Sequence, residues 1–516
     1  MSADVSGSAG AGGAEKLHKR SLGVPDVVFF IVAASAPLTV VAGGQAVSYL
    51  VTGNEAIPFM FIPLGIVLAL FVTGYAVMSH YISNAGAFYA YVSQGINKVL
   101  GVGTAFLALF AYNAMQIGIY GLFGVAMAAF AIDNLSIDWQ WYTWCFIALA
   151  LIAVLGFLQV DLNAKVLAIF LSLEVLVVAI FDLAILADPG PEGLTGVGFD
   201  PSVTFDLNTG AVLTFAVAAF VGIESAAIYG EECKDPKRTV ARASFIAVGL
   251  VVVLYALSSW LLGNSVGPSV ITNPELLVEG GFTGPDGLAP DPTTVFFIEG
   301  QDRLGEFFGD ASSLLFATSL FAALLSFHNA VARYFFALGR ERVIPPVFGR
   351  VNHSTGAPYI GSATQTLLAL AILLVFSIGD LDPVLKLFTW GTNIGAIGVM
   401  LLLSLASWAV FGYFLKHKGL ESSMWRVRWA PILAGLAFAV IFVIALLNLN
   451  VSITGLTDAP LDDLTIILPA CMIGFALIGC IVGAILRSSR PEIYEQIGTG
   501  PKAEQLIEQE MGGQSG

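Results

Sequence analysis

The chain of 516 residues is 57% hydrophobic and only 11% charged, and it contains 55 glycines. Soluble domains carry about one quarter charged residues, so this composition excludes a water-soluble globular protein. The formal net charge of -15 gives no indication of nucleic-acid binding, because charge in a membrane protein has to be examined loop by loop.

Apolar stretches of about 20 residues, the length that crosses a bilayer as a helix, recur along nearly the whole chain. The first 24 residues are rich in Gly, Ala and Ser and predict a disordered tail, and residues 488–516 predict a second tail. Between the tails the sequence predicts twelve transmembrane helices, at residues 25–50, 57–79, 99–130, 139–158, 165–187, 208–230, 241–263, 310–338, 359–378, 383–411, 429–448 and 464–487.

The loops between these predicted helices differ in charge on the two sides of the bilayer. The loop after the sixth span carries Lys234, Lys237 and Arg238, whereas the segment 264–310 carries eight acidic residues and the single basic residue Arg303. Basic loops remain in the cytoplasm. The pattern therefore predicts a multi-pass protein of the cell membrane with both termini in the cytoplasm.

Two predicted spans are interrupted near their centres. The first contains Pro37 followed by a glycine pair, and the sixth contains Gly222 and Glu224. Proline removes a backbone donor and glycine makes local unwinding cheap, so we expect the chain to be unwound at 36–39 and at 221–224. Interruptions five helices apart are typical of a transporter with two inverted repeats of five helices. This predicts a ten-helix core at 25–411 with helices eleven and twelve at 412–487, although either interruption alone is also compatible with a simple kink.

Five segments carry a resemblance to a known family. They are FVGIESA at 220–226, EECKDPKR at 231–238, NAGAFYAY at 84–91, RYFFALGRERVIP at 333–345 and AKV at 164–166. In this order they resemble segments of the amino acid-polyamine-organocation superfamily. The resemblance implies an all-α membrane protein with the leucine-transporter-like fold, in which broken helices one and six hold an amino acid and helices three, eight and ten surround it.

Two departures from the family pattern leave the substrate open. Many members have Gly-Ser-Gly in the first helix, where this chain has the sequence APLT at 36–39. Arginine/agmatine antiporters have a gating tryptophan four residues before the glycine of the sixth helix, where this chain has Ala218.

An amino acid brings a carboxylate and an ammonium group into the membrane, and both groups need partners there. Backbone N–H groups of Leu38 to Val41 are expected to bind the carboxylate, and carbonyls of Ala218 to Val221 the ammonium group. By resemblance, Phe327 covers the substrate. The predicted substrate-binding residues are Ala36, Pro37, Leu38, Thr39, Val40, Tyr112, Asn113, Gln116, Ala218, Val221, Gly222 and Phe327.

The third helix carries a polar stripe. Tyr112, Asn113 and Gln116 lie on one side of an otherwise apolar helix. We expect this stripe to face the substrate. The alternative is that its side chains only form hydrogen bonds with neighbouring helices.

Two acidic residues lie deep within predicted helices, namely Glu174 and Glu224. Burying an acidic group at this depth costs free energy, and acidic groups in membrane helices are typical of proton carriers. We therefore expect one of the two residues to couple transport to protons. The resemblance puts Glu174 at a position where several relatives have a lysine thought to replace a sodium ion. A neutral carboxyl group bonded to a neighbouring helix is the alternative.

Together with the resemblance, which implies amino acids or related amines as substrates, these patterns predict a secondary transporter that takes them up with protons. A polyamine permease, a substrate exchanger and a nutrient receptor with the same fold remain alternatives. The five histidines do not cluster with acids or cysteines, and no filter-like repeat is present, so the sequence favours neither an enzyme nor a channel. It predicts no metal and no cofactor, and it does not indicate the oligomeric state.

Overall fold

The computed structural model describes residues 23–82, 86–158, 164–205, 208–223, 233, 236–284, 287–352, 354–456 and 459–499. Every regular element in these ranges is a helix, and Thr283 and Pro290 form an isolated β-bridge. In the first half of the chain the helices are α1 Val24–Ser35, α2 Ala46–Thr52, α3 Ile57–Met78, α4 Ala87–Gly95, α5 Lys98–Leu135, α6 Trp141–Leu158, α7 Ala164–Ala187, α8 Pro201–Thr204, α9 Thr209–Phe220 and α10 Pro236–Val266.

The second half contains ten further α-helices. They are α11 Pro268–Ile271, α12 Pro274–Glu279, α13 Val295–Leu304, α14 Glu306–Arg340, α15 Tyr359–Ile378, α16 Thr389–Lys416, α17 Ala430–Leu447, α18 Leu449–Thr454, α19 Asp463–Ser489 and α20 Pro491–Gln496. Single π-helical turns occur at Thr39–Gln45, Pro383–Phe388 and Trp425–Trp429, and 3-10 turns at Val197–Phe199, Pro292–Thr294 and Pro346–Gly349.

Ten helices in the described ranges are long and apolar enough to cross a membrane: α3, α5, α6, α7, α10, α14, α15, α16, α17 and α19. Large apolar side chains such as Leu183, Val253 and Val375 remain exposed on them, as expected of surfaces that face lipid. The chain is therefore a multi-pass membrane protein. The predicted first span corresponds to α1, the π turn and α2, and the sixth to the 12-residue α9, so the count of twelve stays a prediction.

The packing of helices in the first half is repeated five predicted spans later. Helix α3 packs on α10, α5 on α14 and α6 on α15, which pairs each helix with its counterpart. Helix α5 packs on α6 and α16, and its counterpart α14 packs in the same way on α15 and α7. Helix α1 packs on α10, and its counterpart α9 packs on α3. This pattern fits the predicted repeat of five plus five helices.

The backbones of α5 and α16 approach closely beside the centre of the protein. A Cβ atom added to Gly391 would lie 2.7 Å from the carbonyl oxygen of Ala114 and 2.8 Å from Cα of Gly118. Glycine is needed at this crossing because any side chain would force the helices apart. Met115 of α5 and Thr392 of α16, on either side of this crossing, both line the cavity that is described below.

The first span is interrupted at a single residue. Helix α1 ends at Ser35, and Ala36 has a φ of 48°, a left-handed conformation that costs roughly 1–2 kcal/mol outside glycine. Leu38 is already helical again, with φ -69° and ψ -37°. The non-helical stretch is thus shorter than the predicted 36–39, because proline is disfavoured after a helical residue but tolerated in the first turn of the next helix.

The predicted sixth span ends its first helical part at Phe220. Val221 is extended, with φ -64° and ψ 131°, and Gly222 has a φ of 113°, which glycine adopts without strain. The backbone N–H of Val221 donates to the carbonyl oxygen of Ala218 at 3.2 Å. The remainder of the predicted stretch, including Glu224, lies outside the described residues.

Candidate functional site

A cavity lies where the two interrupted spans meet α5, α14 and α16. It encloses about 680 Å³ of empty space, its open mouth included. Six of the predicted substrate-binding residues line it, namely Ala36, Thr39, Val40, Ala218, Val221 and Phe327.

The lining also includes residues that the sequence reasoning missed. They are Ser35, Gly44, Gln45 and Ser48 of the first span. These residues lie outside the stretch 36–40 that was predicted to bind substrate in the first span. A polar residue at position 45 and another one turn later, in a span that is otherwise apolar, were the signal that would have extended the site.

The break in the first span is closed by hydrogen bonds from neighbouring helices. The Tyr255 hydroxyl of α10 lies 3.1 Å from the carbonyl oxygen of Ser35 and 3.0 Å from its Oγ. The carbonyls at the end of α1 have no partner within that helix, so a buried tyrosine hydroxyl satisfies a group that would otherwise be unpaired.

Glu174 of α7 connects the broken span to α14. Its Oε2 accepts hydrogen bonds from the Ser319 hydroxyl at 2.8 Å and from the backbone N–H of Leu38 at 3.5 Å. The Thr39 hydroxyl in turn donates to Ser319 Oγ at 3.0 Å. Because Thr39 lines the cavity, this chain of bonds leads from the cavity to a carboxyl group that is 5% exposed.

The polar stripe of α5 lies beside the cavity, and its three residues are not among those that line it. The Gln116 amide donates to the carbonyl oxygen of Leu324 at 3.1 Å and accepts a bond from Gln365 of α15. The Asn113 amide donates to the carbonyl of its own helix four residues earlier, and the Tyr112 ring packs 6.0 Å from that of Phe327. The structure therefore brings Tyr112 next to the cavity through Phe327.

The other predicted site residues have different surroundings. Pro37 and Leu38 are buried at the break without lining the cavity, and the Leu38 N–H points to Glu174. Gly222 follows Val221 and is outside the lining as well. Across the described ranges, no group of three or more His, Cys, Asp or Glu side chains is arranged to hold a metal ion.

The chain is a polytopic membrane protein whose packing repeats five spans apart and whose two interrupted spans meet at a cavity, which is the architecture of a transporter fold. Residues 22–478 match the amino acid permease family, and the chain belongs to this family. The superfamily resemblance and the expected all-α transporter fold are thereby confirmed, whereas the count of twelve helices and the unwinding of helices one and six stay predictions. Family and fold are those of transporters rather than enzymes.

Two curated relatives match a segment of 195 residues. They are cationic amino acid transporter 7, chloroplastic, at 28% identity and cationic amino acid transporter 6, chloroplastic, at 25%, both of Arabidopsis thaliana. The segment covers 38% of this chain and 30% of each relative, so the chain matches less than one third of their length.

Solved structures support the fold. A mutant form of a manganese transporter from Eremococcus coleocola has a TM-score of 0.52 at 16% identity, covering 89% of this chain and 92% of that chain. The same transporter in complex with an aromatic bis-isothiourea substituted compound has a TM-score of 0.52 at 14% identity, covering 88% and 93%. At this identity the likeness concerns the fold alone.

Proposed function

We propose that the protein is a secondary transporter that takes up amino acids or closely related amines with protons across the cell membrane, with both termini in the cytoplasm. The observation that carries this proposal is the chain of hydrogen bonds from Thr39 at the cavity through Ser319 to Glu174. It joins a site for a small molecule to a buried acidic group. Membership in the amino acid permease family supports the substrate class.

The two interrupted spans offer opposite partial charges to a zwitterion. The start of the helical segment after Pro37 carries the positive end of a helix dipole, and the carbonyls at the end of α9 carry a negative end. The proposed position of the carboxylate is near Thr39, because the Leu38 N–H donates to Glu174 and the Val40 N–H donates to the Ala36 carbonyl oxygen at 3.0 Å. The ammonium group is proposed to lie near Ala218 and Val221. Neither charge then needs an ionised side chain, and each avoids the large cost of an unpaired charge in the membrane.

Coupling follows from the contacts of Glu174. In the described conformation its Oε2 only accepts hydrogen bonds, which is the role of an ionised carboxylate or of the carbonyl oxygen of a neutral acid. An ionised carboxylate binds Ser319 and the Leu38 N–H more strongly than a neutral acid does. Proton binding therefore loosens the attachment of the first span to α7 and α14, and proton release restores it. Glu224 is the second candidate for this role.

Names of the relatives add cationic amino acids to the substrates that have to be tested. Both Arabidopsis proteins are named cationic amino acid transporters, so lysine and arginine belong in any substrate panel, together with polyamines and neutral amino acids. Exchange of one substrate for another uses the same cavity without net proton movement, and it is the second candidate activity.

Uptake into proteoliposomes tests the proposal. Purified full-length protein should accumulate a labelled amino acid against its gradient when the exterior is acidic, without sodium. Glu174→Gln, which is neutral at every pH, should lose this accumulation and keep exchange of internal for external substrate. Glu224→Gln is the matched comparison for the second acidic residue. Sodium-driven uptake that ignores pH, or normal accumulation by Glu174→Gln, contradicts the proton assignment, and binding without flux would indicate a receptor.

A further inference from the structure

One polar side chain at the cavity has no partner within the protein. Gln45 closes the π turn of the first span and is 3% exposed, and neither its amide oxygen nor its amide nitrogen has a hydrogen-bond partner among the described residues. Ser48, one helical turn later, is 1% exposed, and its hydroxyl also lacks a partner there. Both residues line the cavity.

The π turn explains how these residues share one face with the break. A π turn joins residues five apart by its hydrogen bonds, whereas an α turn joins residues four apart. Val40, Gly44 and Gln45 consequently all line the cavity. Turns of this kind occur frequently at functional sites, where they redirect a side chain.

An amide buried without partners is costly for the folded protein. The cost is the lost hydration of one acceptor and two donors, which a leucine of similar size would not incur. Other side chains of the lining, such as Ile57, Phe61 and Phe215, are apolar and offer no hydrogen bond. The amide is therefore arranged for a group that enters the cavity.

We infer that Gln45 and Ser48 bind the far end of the substrate side chain, and that the preferred substrate is an amino acid ending in an uncharged group that both donates and accepts hydrogen bonds. A carboxamide, as in glutamine, matches this pair best. The inference rests on the proposed function, since it assumes that the amino and carboxylate groups bind at the break. Val40 and Gln45 lie five residues apart in the π turn and line the same cavity, so a substrate side chain can extend from the break to the Gln45 amide.

Charge decides against the other long side chains at this end of the cavity. A lysine ammonium group could donate to the amide oxygen and the hydroxyl but would meet no opposite charge. A glutamate carboxylate can only accept hydrogen bonds, so it would leave the Gln45 amide oxygen without a donor and would meet no positive charge. Norleucine would leave the amide unpaired, and a site built to bond a substrate group discriminates strongly against an analogue that lacks it. Glutamine satisfies both atoms of the Gln45 amide.

Competition against labelled glutamine in proteoliposomes tests the inference on the wild-type protein. The competitors are unlabelled glutamine, norleucine, glutamate and lysine, which have similar lengths. Glutamine should compete at least about tenfold better than norleucine, since two hydrogen bonds separate them. Equal competition by norleucine, or stronger competition by lysine, overturns the inference. Uptake of some amino acid from the panel in either case leaves the proposed function standing, whereas no amino acid transport at all contradicts that function.

Substitutions of Gln45 and Ser48 test whether these two residues are the ones that distinguish glutamine from norleucine. Gln45→Leu should weaken competition by glutamine about tenfold and leave norleucine unchanged or better, and Ser48→Ala should weaken glutamine by a smaller factor. Gln94→Leu makes the same substitution in α4, outside the cavity lining, and should leave the ratio of glutamine to norleucine unchanged. If Gln45→Leu does not fold, the competition experiment on the wild-type protein and the Ser48→Ala variant still test the inference. Unchanged ratios in both variants would mean that the amide binds only water.

Discussion

Removing the Ser319 hydroxyl should weaken the attachment of the first span to the rest of the transporter. Ser319 Oγ accepts from Thr39 at 3.0 Å and donates to Glu174 at 2.8 Å, and all three side chains are buried. In Ser319→Ala both bonds are lost, and Glu174 keeps only the 3.5 Å bond from the Leu38 N–H. We expect lower stability and poorer accumulation of substrate.

The magnitude follows from the two bonds. A neutral hydrogen bond contributes about 0.5–1.5 kcal/mol and one to a charged group about 1.5–3 kcal/mol, so the loss of both should lower the free energy of unfolding by about 2–4.5 kcal/mol. Part of this cost depends on the Glu174 carboxyl group. A double-mutant cycle with Glu174→Gln should therefore give an interaction energy of about 1–2 kcal/mol, within the usual range for residues in contact.

Ser312→Ala is the matched control on the same helix. Ser312 is also fully buried, but its hydroxyl donates only to the carbonyl oxygen of Gly309, 3.0 Å away in its own helix. Its cycle with Glu174→Gln should be additive within about 0.5 kcal/mol. Denaturant titration in detergent micelles measures these free energies. Additive behaviour of Ser319→Ala would refute the reasoning, because the serine and the carboxyl group would then not interact.

Three other substitutions test separate parts of the structure. Tyr255→Phe keeps the ring and leaves the Ser35 carbonyl unpaired, so thermal unfolding should show a loss of about 1–3 kcal/mol, and wild-type stability would contradict the bond. Gln116→Ala removes the hydrogen-bond partner of Gln365 and should lower the free energy of unfolding by a similar amount. A raised KM for uptake in the same variant would support the predicted contact between Gln116 and the substrate. Burial raises the pKa of Asp291, which precedes the 3-10 turn Pro292–Thr294. The contribution of its carboxyl group to the free energy of unfolding is therefore greatest below the unfolded pKa of about 3.9 and is lost as pH rises through the raised pKa. Asp291→Asn should therefore gain stability relative to wild type as pH rises from 4 to 7, and a constant difference would refute this.

Much of the architecture could be predicted from the sequence because the bilayer fixes the length of each apolar stretch. The ninth span was predicted at 359–378 and is observed as α15 with the same bounds, and the second was predicted at 57–79 and ends at Met78. The position of the first interruption follows from Pro37, since proline disfavours a helical residue before it.

The parts of the site that were missed depend on contacts between distant residues. Ser319 bonds Glu174 across 145 positions, and nothing in the local pattern around either residue indicates the other. Likewise, Gln116 and Gln365 are 249 positions apart, so a polar stripe on α5 could not reveal whether it faces a cavity or another helix. The π turn that brings Gln45 to the cavity has no simple sequence signal, because one additional residue per turn depends on how the helix packs.

Proton movement during amino acid uptake is the most direct test of the account. Proteoliposomes that contain a pH-sensitive dye and no imposed gradient are mixed with external substrate, and the internal pH is recorded. The account predicts internal acidification that scales with substrate uptake in the wild-type protein and is absent in Glu174→Gln. Uptake without any change of internal pH, or the same acidification in the variant, would contradict it.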